Sequence, residues 1–385
     1  MGCKCVDKES ENYNEIKKDE RFLIINNNIN SKEGKISINK NSEFNQDTSL
    51  SNPNLEKIEE NIHTNLSENN KNYSDNFKGN FLGNIKSKYI LKYIFENLTE
   101  LKLFKIVKYN KTIQGRLDID LNDYKKYFEV IVEIFSTNKE EKNIFINYKE
   151  EDNIFYHIYF NDEKEEKRRN YFSKNEKVSK IKIIIDYQIK TFENLFSDCS
   201  CIEKIKFIRF KRNDIINMSY MFYRCSSLKE LNLNNINTNN VINMYGMFSR
   251  CSSLKELNLN NFTTNDVTNM SDMFDGCSSL ETLNLNNFNT TNVKDMSYMF
   301  YNCSKLTHLN LNNFNTNSVT NMSYMFDGCS SLEEVNLNNF NTNNVKYMSY
   351  MFYGCSLLKE LNLSNFNTDN VTDMRSMFSG CSSLN

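Results

Sequence analysis

The sequence predicts a solenoid of stacked 26-residue units, each a short helix or turn plus a strand, preceded by a small α+β domain and a disordered N-terminal tail. Three columns of residues at one 26-residue period carry this prediction. The first consists of cysteines: Cys199, Cys225, Cys251, Cys277, Cys303, Cys329, Cys355 and Cys381. The second column is aliphatic and consists of Leu231, Leu257, Leu283, Leu309, Val335 and Leu361. The third is aromatic and consists of Phe222, Phe248, Phe274, Phe300, Phe326, Phe352 and Phe378. Self-similarity at such a period indicates units that bury a core only by stacking.

Residues 1–84 come before any regular pattern and are rich in Asn, Lys, Glu and Ser, with scattered apolar residues. Such a segment cannot bury enough apolar surface to offset the entropy lost when it becomes ordered. We therefore predict a disordered tail over residues 1–84.

The first five residues, MGCKC, predict lipidation of the N-terminus. After removal of Met1, Gly2 is placed for myristoylation and Cys3 and Cys5 for palmitoylation. Two lipid signals matter because a single myristoyl chain binds a membrane only marginally. The usual pattern has Ser or Thr at position 6, where this chain has Val6. The alternative interpretation is a start codon followed by small residues without a function.

The predicted location is the cytoplasm, at the inner face of a membrane if the N-terminus is lipidated. No stretch approaches the roughly 20 apolar residues of a membrane span. The N-terminus also lacks the basic, apolar and small-residue regions of a secretory signal. The net charge of −2 creates no field that would favour nucleic acid.

Residues 85–135 are predicted to form a helical segment. In SKYILKYIFENLTELKLFKIVKYNK, the residues Ile90, Leu91, Ile94, Phe95 and Leu98 share one helical face, and a second short helix follows. The order of these apolar residues resembles an F-box, which implies docking to the adaptor of a ubiquitin ligase. The initial Leu-Pro and the later Trp of that motif are missing. The alternative is a small helical packing domain with no special partner.

Residues 136–188 are predicted to form a small β region that caps the solenoid. KNIFINYKEEDNIFYHIYF indicates two strands around the turn KEEDN. VSKIKIIIDYQI, residues 178–189, is predicted to be the capping strand, since a stack of repeats needs an atypical end.

Residues 189–385 contain about eight units, the last one incomplete. Within one unit, the spacing of the apolar residues from Val241 to Cys251 suits a short helix, and Leu257-x-Leu259 alternates as a strand does. The sequence stops at CSSLN, where another strand is due. We therefore expect either that the protein continues past Asn385 or that a partner covers the last unit.

The pattern L-x-x-L-x-L, here Leu254, Leu257 and Leu259, is the strand core of leucine-rich repeats. The full unit, MFxxCSSLKELNLNNFNTNNVTNMSY, resembles the BspA-like leucine-rich repeat family, the 26-residue repeat of bacterial surface proteins. The resemblance covers about half the chain. It implies a curved solenoid that binds other macromolecules, and it adds a cell-surface adhesin as an alternative function.

The predicted binding face is formed by strand residues that point away from the core, because successive side chains of a strand point to opposite faces. They form three columns of mainly Glu and Asn: Glu230, Asn232, Asn234, Glu256, Asn258, Asn260, Thr282, Asn284, Asn286, His308, Asn310, Asn312, Glu334, Asn336, Asn338, Glu360 and Asn362. We predict a protein or peptide ligand on this concave, Asn-rich face. The alternative is that the asparagines only solvate the strands.

The sequence predicts no catalytic residue, no metal site and no cofactor. The thiols are 26 residues apart without partners at metal-ligand spacing, so buried free thiols explain the cysteine column better than zinc or disulfides. His63, His157 and His308 have no recognisable catalytic motif around them. The predicted function is a non-enzymatic scaffold for protein–protein interaction, with the ubiquitin-ligase receptor and the adhesin as alternatives.

Overall fold

The structure is a computed structural model that describes residues 121–137 and 140–384, together with Gly115. The chain divides into two compact units, Met1–Leu91 and Lys92–Asn385, and all described residues belong to the second. The predicted tail, the lipidation residues Gly2, Cys3 and Cys5, and the F-box-like helices lie outside the described residues. Within the described part, the fold is β-rich and repetitive, as predicted, and no helix there is both long and apolar enough to cross a membrane.

In the described part of the chain, one α-helix and six short strands precede the first repeat. In chain order they are α1 (Leu121–Phe128), β1 (Val130–Ser136), β2 (Lys142–Ile144), β3 (Tyr156–Phe160), β4 (Glu166–Lys167), β5 (Tyr171–Ser173) and β6 (Lys180–Ile185), with a 3-10 helix at Glu150–Phe155. The helical segment predicted for residues 85–135 therefore ends in a strand. Val130, Val132 and Ile134 are buried at every second position, and such a β-branched alternation favours a strand over a helix.

We call the elements from α1 to β6 the cap. The cap joins the repeats through a six-stranded sheet of order β4-β3-β6-β1-β7-β8. In this sheet, β7 (Ile202–Arg209) and β8 (Glu230–Asn232) belong to the first two units. The strand beside the first unit is β1, which pairs antiparallel with β7. The predicted capping strand, β6, lies on the far side of β1. Strands do form on both sides of KEEDN, as predicted, and most of KEEDN lies in the 3-10 helix between them; the two strands do not pair with each other, because β2 pairs with β5.

The predicted strand forms in the five units from Glu230 to Asn336 but is only two or three residues long, and the unit of Leu361 has only an isolated bridge from Glu360 to Glu334. Four further strands follow: β9 (Glu256–Leu257), β10 (Thr282–Leu283), β11 (His308–Asn310) and β12 (Glu334–Asn336). Pairing is parallel and joins residues 26 positions apart, as in Leu257 with Leu283 and Leu309 with Val335. Equivalent residues of consecutive units are therefore neighbours in space.

The segment predicted as a short helix in each unit is instead a run of turns throughout residues 189–384. Left-handed backbone at Asp272 (φ 57°) and Gly276 (φ 65°) interrupts any helix. The N–H groups of Met270, Asp272, Phe274 and Gly276 donate to carbonyl oxygens one unit further on, at 2.7 to 3.2 Å. A helix would satisfy these groups within the segment, whereas the turns use them to join consecutive units.

The core is a set of parallel columns. The apolar positions predicted to face it are buried: Val241, Met244, Met247, Phe248, Cys251, Leu254, Leu257, Leu259 and Phe262. From Phe196 to Phe378, the rings of consecutive units stack with centroids 5.3 to 5.8 Å apart and planes within 11° of each other. This offset stacking is a favoured aromatic geometry, and burying each ring contributes about 1.5–3 kcal/mol.

Candidate functional site

A groove of about 1700 Å³ runs across the strand face of the units. Every residue of the predicted binding face lines it, together with strand residues between them such as Leu257 and Leu283, which are largely buried. The groove exists because parallel strands two or three residues long place one Glu, Thr or His and two Asn of each unit side by side. The structure thus brings the predicted residues together on one surface.

A column of buried threonines fixes how consecutive units align. Thr290 Oγ1 donates to the carbonyl oxygen of Asn315 at 2.9 Å and accepts the N–H of the same residue at 2.8 Å. The same pair of bonds recurs in other units, and the column is at most 1% exposed: Thr238, Thr264, Thr290, Thr316 and Thr342. Because each hydroxyl is satisfied by one residue of the next unit, a slip in alignment would leave buried polar groups unpaired.

The asparagines of the groove make hydrogen bonds within the chain. Asn284 Oδ1 accepts the N–H of Asn286 at 3.0 Å, and Asn284 Nδ2 donates to Asn260 Oδ1 at 3.3 Å. The turn bond recurs at Asn232, Asn258, Asn310, Asn336 and Asn362. An asparagine that bonds its own backbone two residues on stabilises a turn. This supports a structural role for the asparagines. The side chains of the Glu, Thr and His column are therefore more available to a ligand.

The charges of the groove are unevenly distributed. At the end nearest the cap, Lys204 forms an ion pair with Glu230, and Lys206 lies beside it. Further along, Glu256, Glu334 and Glu360 are exposed and form no ion pair with any described residue. Between them, the exposed His308 contacts Thr307 Oγ1 through Nδ1 at 3.0 Å. Beyond the cap end, the groove therefore presents three carboxylates that a ligand can pair.

Ion pairs between neighbouring units border the groove. Lys359 Nζ lies 2.6 Å from Glu333, and Lys229 Nζ lies 2.8 Å from Glu203. The hydrogen bond from Lys359 holds the pKa of the Glu333 carboxyl below its usual value. Exposed ion pairs of this kind contribute little to stability. Their main effect is therefore to place charge along the edge of the groove.

Sequence reasoning missed the cap end of the groove. Lys204 and Lys206 stand 26 residues before Glu230 and Asn232, so the period alone was a sufficient signal for them. Glu133 and Phe135 also line the groove, but they come from β1. No repeat pattern covers that strand, and its pairing with β7 joins residues more than 60 positions apart.

The cysteine column packs as buried free thiols, as predicted. Every described cysteine is free, and only Cys381 is more than slightly exposed. Cys277 Sγ donates to the carbonyl oxygen of Phe248 at 3.2 Å, and equivalent contacts recur along the column. Burial raises the pKa of the Cys329 thiol to about 12, which disfavours the reactive thiolate. Across residues 121–137 and 140–384, no cluster of His, Cys, Asp and Glu is placed to hold a metal ion.

These features define a class of protein: a β-rich repeat protein with 26-residue units whose short strands present one continuous polar groove. The chain belongs to the family described as "Mycoplasma protein of unknown function, DUF285". The family model matches residues 190–309 and 277–385, which together span just over half the chain and coincide with the repeats. No curated protein and no solved structure is significantly similar to the chain.

Proposed function

We propose that this protein is a non-enzymatic scaffold for protein–protein interaction, whose units form a leucine-rich-repeat solenoid of the BspA-like kind. The observation that carries the proposal is the groove of about 1700 Å³, lined by every residue of the predicted binding face. Parallel pairing of residues 26 positions apart and the stacked phenylalanines support the solenoid. Such stacks use their extended faces for binding.

The ligand is a protein segment or peptide that carries basic side chains. Glu256, Glu334 and Glu360 stand in one column along the groove and are exposed without an ion pair in the described part of the chain. A ligand with Lys or Arg at matching intervals would pair these carboxylates. Opposite charges across an interface raise the association rate and suppress wrong partners.

Reversing the charge of the groove is expected to weaken peptide binding. Peptides selected from a displayed random library on the full chain should be enriched in Lys and Arg. Glu256→Lys combined with Glu334→Lys should lower their affinity at least tenfold, because two attractive contacts become repulsive. Fluorescence anisotropy at two salt concentrations would measure this loss, which should shrink at high salt.

A matched control is available at Asp266, which is exposed and does not line the groove. Asp266→Lys makes the same change in charge and should alter affinity less than twofold. Selected peptides without basic residues, or an equal loss in the Asp266 and the groove variants, would contradict the proposed binding face.

We also propose that lipidation of Gly2, Cys3 and Cys5 tethers the scaffold to the inner face of a membrane. The support is the sequence MGCKC, since one acyl chain and paired thiols would supply the two signals that stable anchoring needs. In a eukaryotic host, the intact protein should carry the mass of a myristoyl group and sediment with membranes. Gly2→Ala should lose both properties. An unmodified, soluble wild-type protein would refute the tether.

A further inference from the structure

A second polar site lies outside the groove, in the column that stands two residues before each cysteine. In three consecutive units this column reads Tyr301, Asp327 and Tyr353, and none of the three lines the groove. Side chains of this column meet across neighbouring units, as shown by Ser249 Oγ, which donates to Asp275 Oδ2 at 2.8 Å. Asp327 is therefore placed between two tyrosines.

Two further tyrosines, Tyr324 and Tyr350, contact the rings of Tyr301 and Tyr353. Tyr298, Tyr324 and Tyr350 form a stack with ring centroids 4.5 and 4.8 Å apart. Tyr301 meets Tyr324 edge-on at 6.4 Å, and Tyr353 lies 5.6 Å from Tyr350 at 59°. Because Tyr301 and Tyr353 are two units apart, their rings are roughly 10 Å apart at the usual strand spacing. A group midway would lie within the roughly 6 Å reach of a cation–π contact to both rings.

The carboxylate at the base of this site lacks a partner. Asp327 is 9% exposed, and among the described residues none donates a hydrogen bond to its carboxylate or pairs with it. Burial raises the pKa of Asp327 to about 6. Because burial disfavours the charged form of a carboxylate, a cation beside Asp327 would stabilise the site.

Equivalent positions show which cation these columns accommodate. Asp275 occupies the same position as Asp327 two units earlier in the chain. Arg250 Nε lies 3.6 Å from the carboxylate of Asp275. In the same two columns, the guanidinium carbon of Arg224 lies 5.0 Å from the ring of Tyr223. Beside Asp327, the position of Arg250 is taken by Asn302, whose amide oxygen lies against Gly328. The carboxylate of Asp327 and the tyrosine rings therefore stand without an arginine of this chain at the position of Arg250.

We propose that Asp327, framed by Tyr301, Tyr324, Tyr350 and Tyr353, binds the guanidinium group of an arginine side chain from a partner protein. The carboxylate supplies the charge, and the rings supply cation–π contacts that suit the planar guanidinium. This site is independent of the groove and of any ligand that the groove binds.

The test is an NMR titration of the full chain, carrying ring-13C tyrosine, with N-acetylarginine amide. We expect saturable shifts of the Tyr301 and Tyr353 ring signals, assigned through Tyr→Phe variants. N-acetylcitrulline amide, which has the same shape without the charge, should cause none. Asp327→Asn should lower the affinity at least tenfold.

Two variants separate the site from a general effect of charge. Asn302→Arg places an arginine at the position that Arg250 has beside Asp275, so the chain itself fills the site and binding should be abolished. The backbone φ of Asn302, 53°, matches the 55° and 61° of Arg224 and Arg250. Asp275→Asn should leave the affinity unchanged. Absent or non-saturable shifts, equal binding of the citrulline compound, or unchanged affinity in Asp327→Asn would each overturn the proposal.

Discussion

Asp214→Asn is expected to lower the free energy of unfolding by about 3 kcal/mol, because it leaves a buried guanidinium without its carboxylate. Arg212 is only 1% exposed, and its Nε and Nη2 donate to the two oxygens of Asp214 at 2.7 and 3.0 Å. Its Nη1 donates to the carbonyl oxygen of Asp186 at 3.2 Å, which ties the first repeat to the cap. The figure is at the low end for buried pairs, since Asp214 itself is 42% exposed.

The same pair predicts how stability changes with pH. Burial raises the pKa of Asp214, but hydrogen bonds from Arg212 and Lys190 outweigh it and hold the pKa below its ordinary value of 3.8. A carboxyl with a lowered native pKa stabilises the fold fully above its unfolded pKa and loses that contribution as the pH falls through the native pKa. Urea unfolding of the wild type should therefore show a loss of stability below about pH 4 that is smaller in Asp214→Asn.

A double variant distinguishes an unpaired charge from general damage to this corner. The later units all have Thr at the first of these positions and mostly Asn at the second, as in Thr238 and Asn240. Arg212→Thr combined with Asp214→Asn removes the buried cation and copies that pattern, so it should be more stable than Asp214→Asn alone. If the double variant is as unstable as the single one, the buried cation is not the cause of the loss.

Repetition made the core of this protein predictable. A single unit could be assigned the wrong register, but columns such as Phe222 to Phe352 fix which side chains are buried in every one of these units at once. The helix was predicted wrongly because apolar spacings of three and four residues also suit a run of turns. The signal that separates the two lies in the unlike residues: Gly276, Gly328, Gly354 and Gly380 share one column, and all have positive φ.

The groove was predictable only as far as the period extends. The column from Glu230 to Glu360 followed from strand alternation, whereas Glu133 and Phe135 depend on a long-range pairing that no local pattern indicates. The role of the asparagines also required coordinates. Sequence alone could not separate a recognition surface from turn formation, and hydrogen bonds such as that from Asn286 N–H to Asn284 Oδ1 favour turn formation for much of this surface.

Phe300→Ala is expected to lower the free energy of unfolding by about 3–5 kcal/mol, because its ring is fully buried and truncation opens a cavity. The ring stacks on Phe274 at 5.7 Å and on Phe326 at 5.6 Å, so both neighbouring units lose contacts. Phe378→Ala is the matched control: this ring is 40% exposed and stacks on Phe352 at 5.8 Å. Its loss should be about 1 kcal/mol, since less apolar surface returns to water. Urea unfolding followed by circular dichroism would compare them, and equal losses would contradict the expectation that the loss follows the burial of the ring.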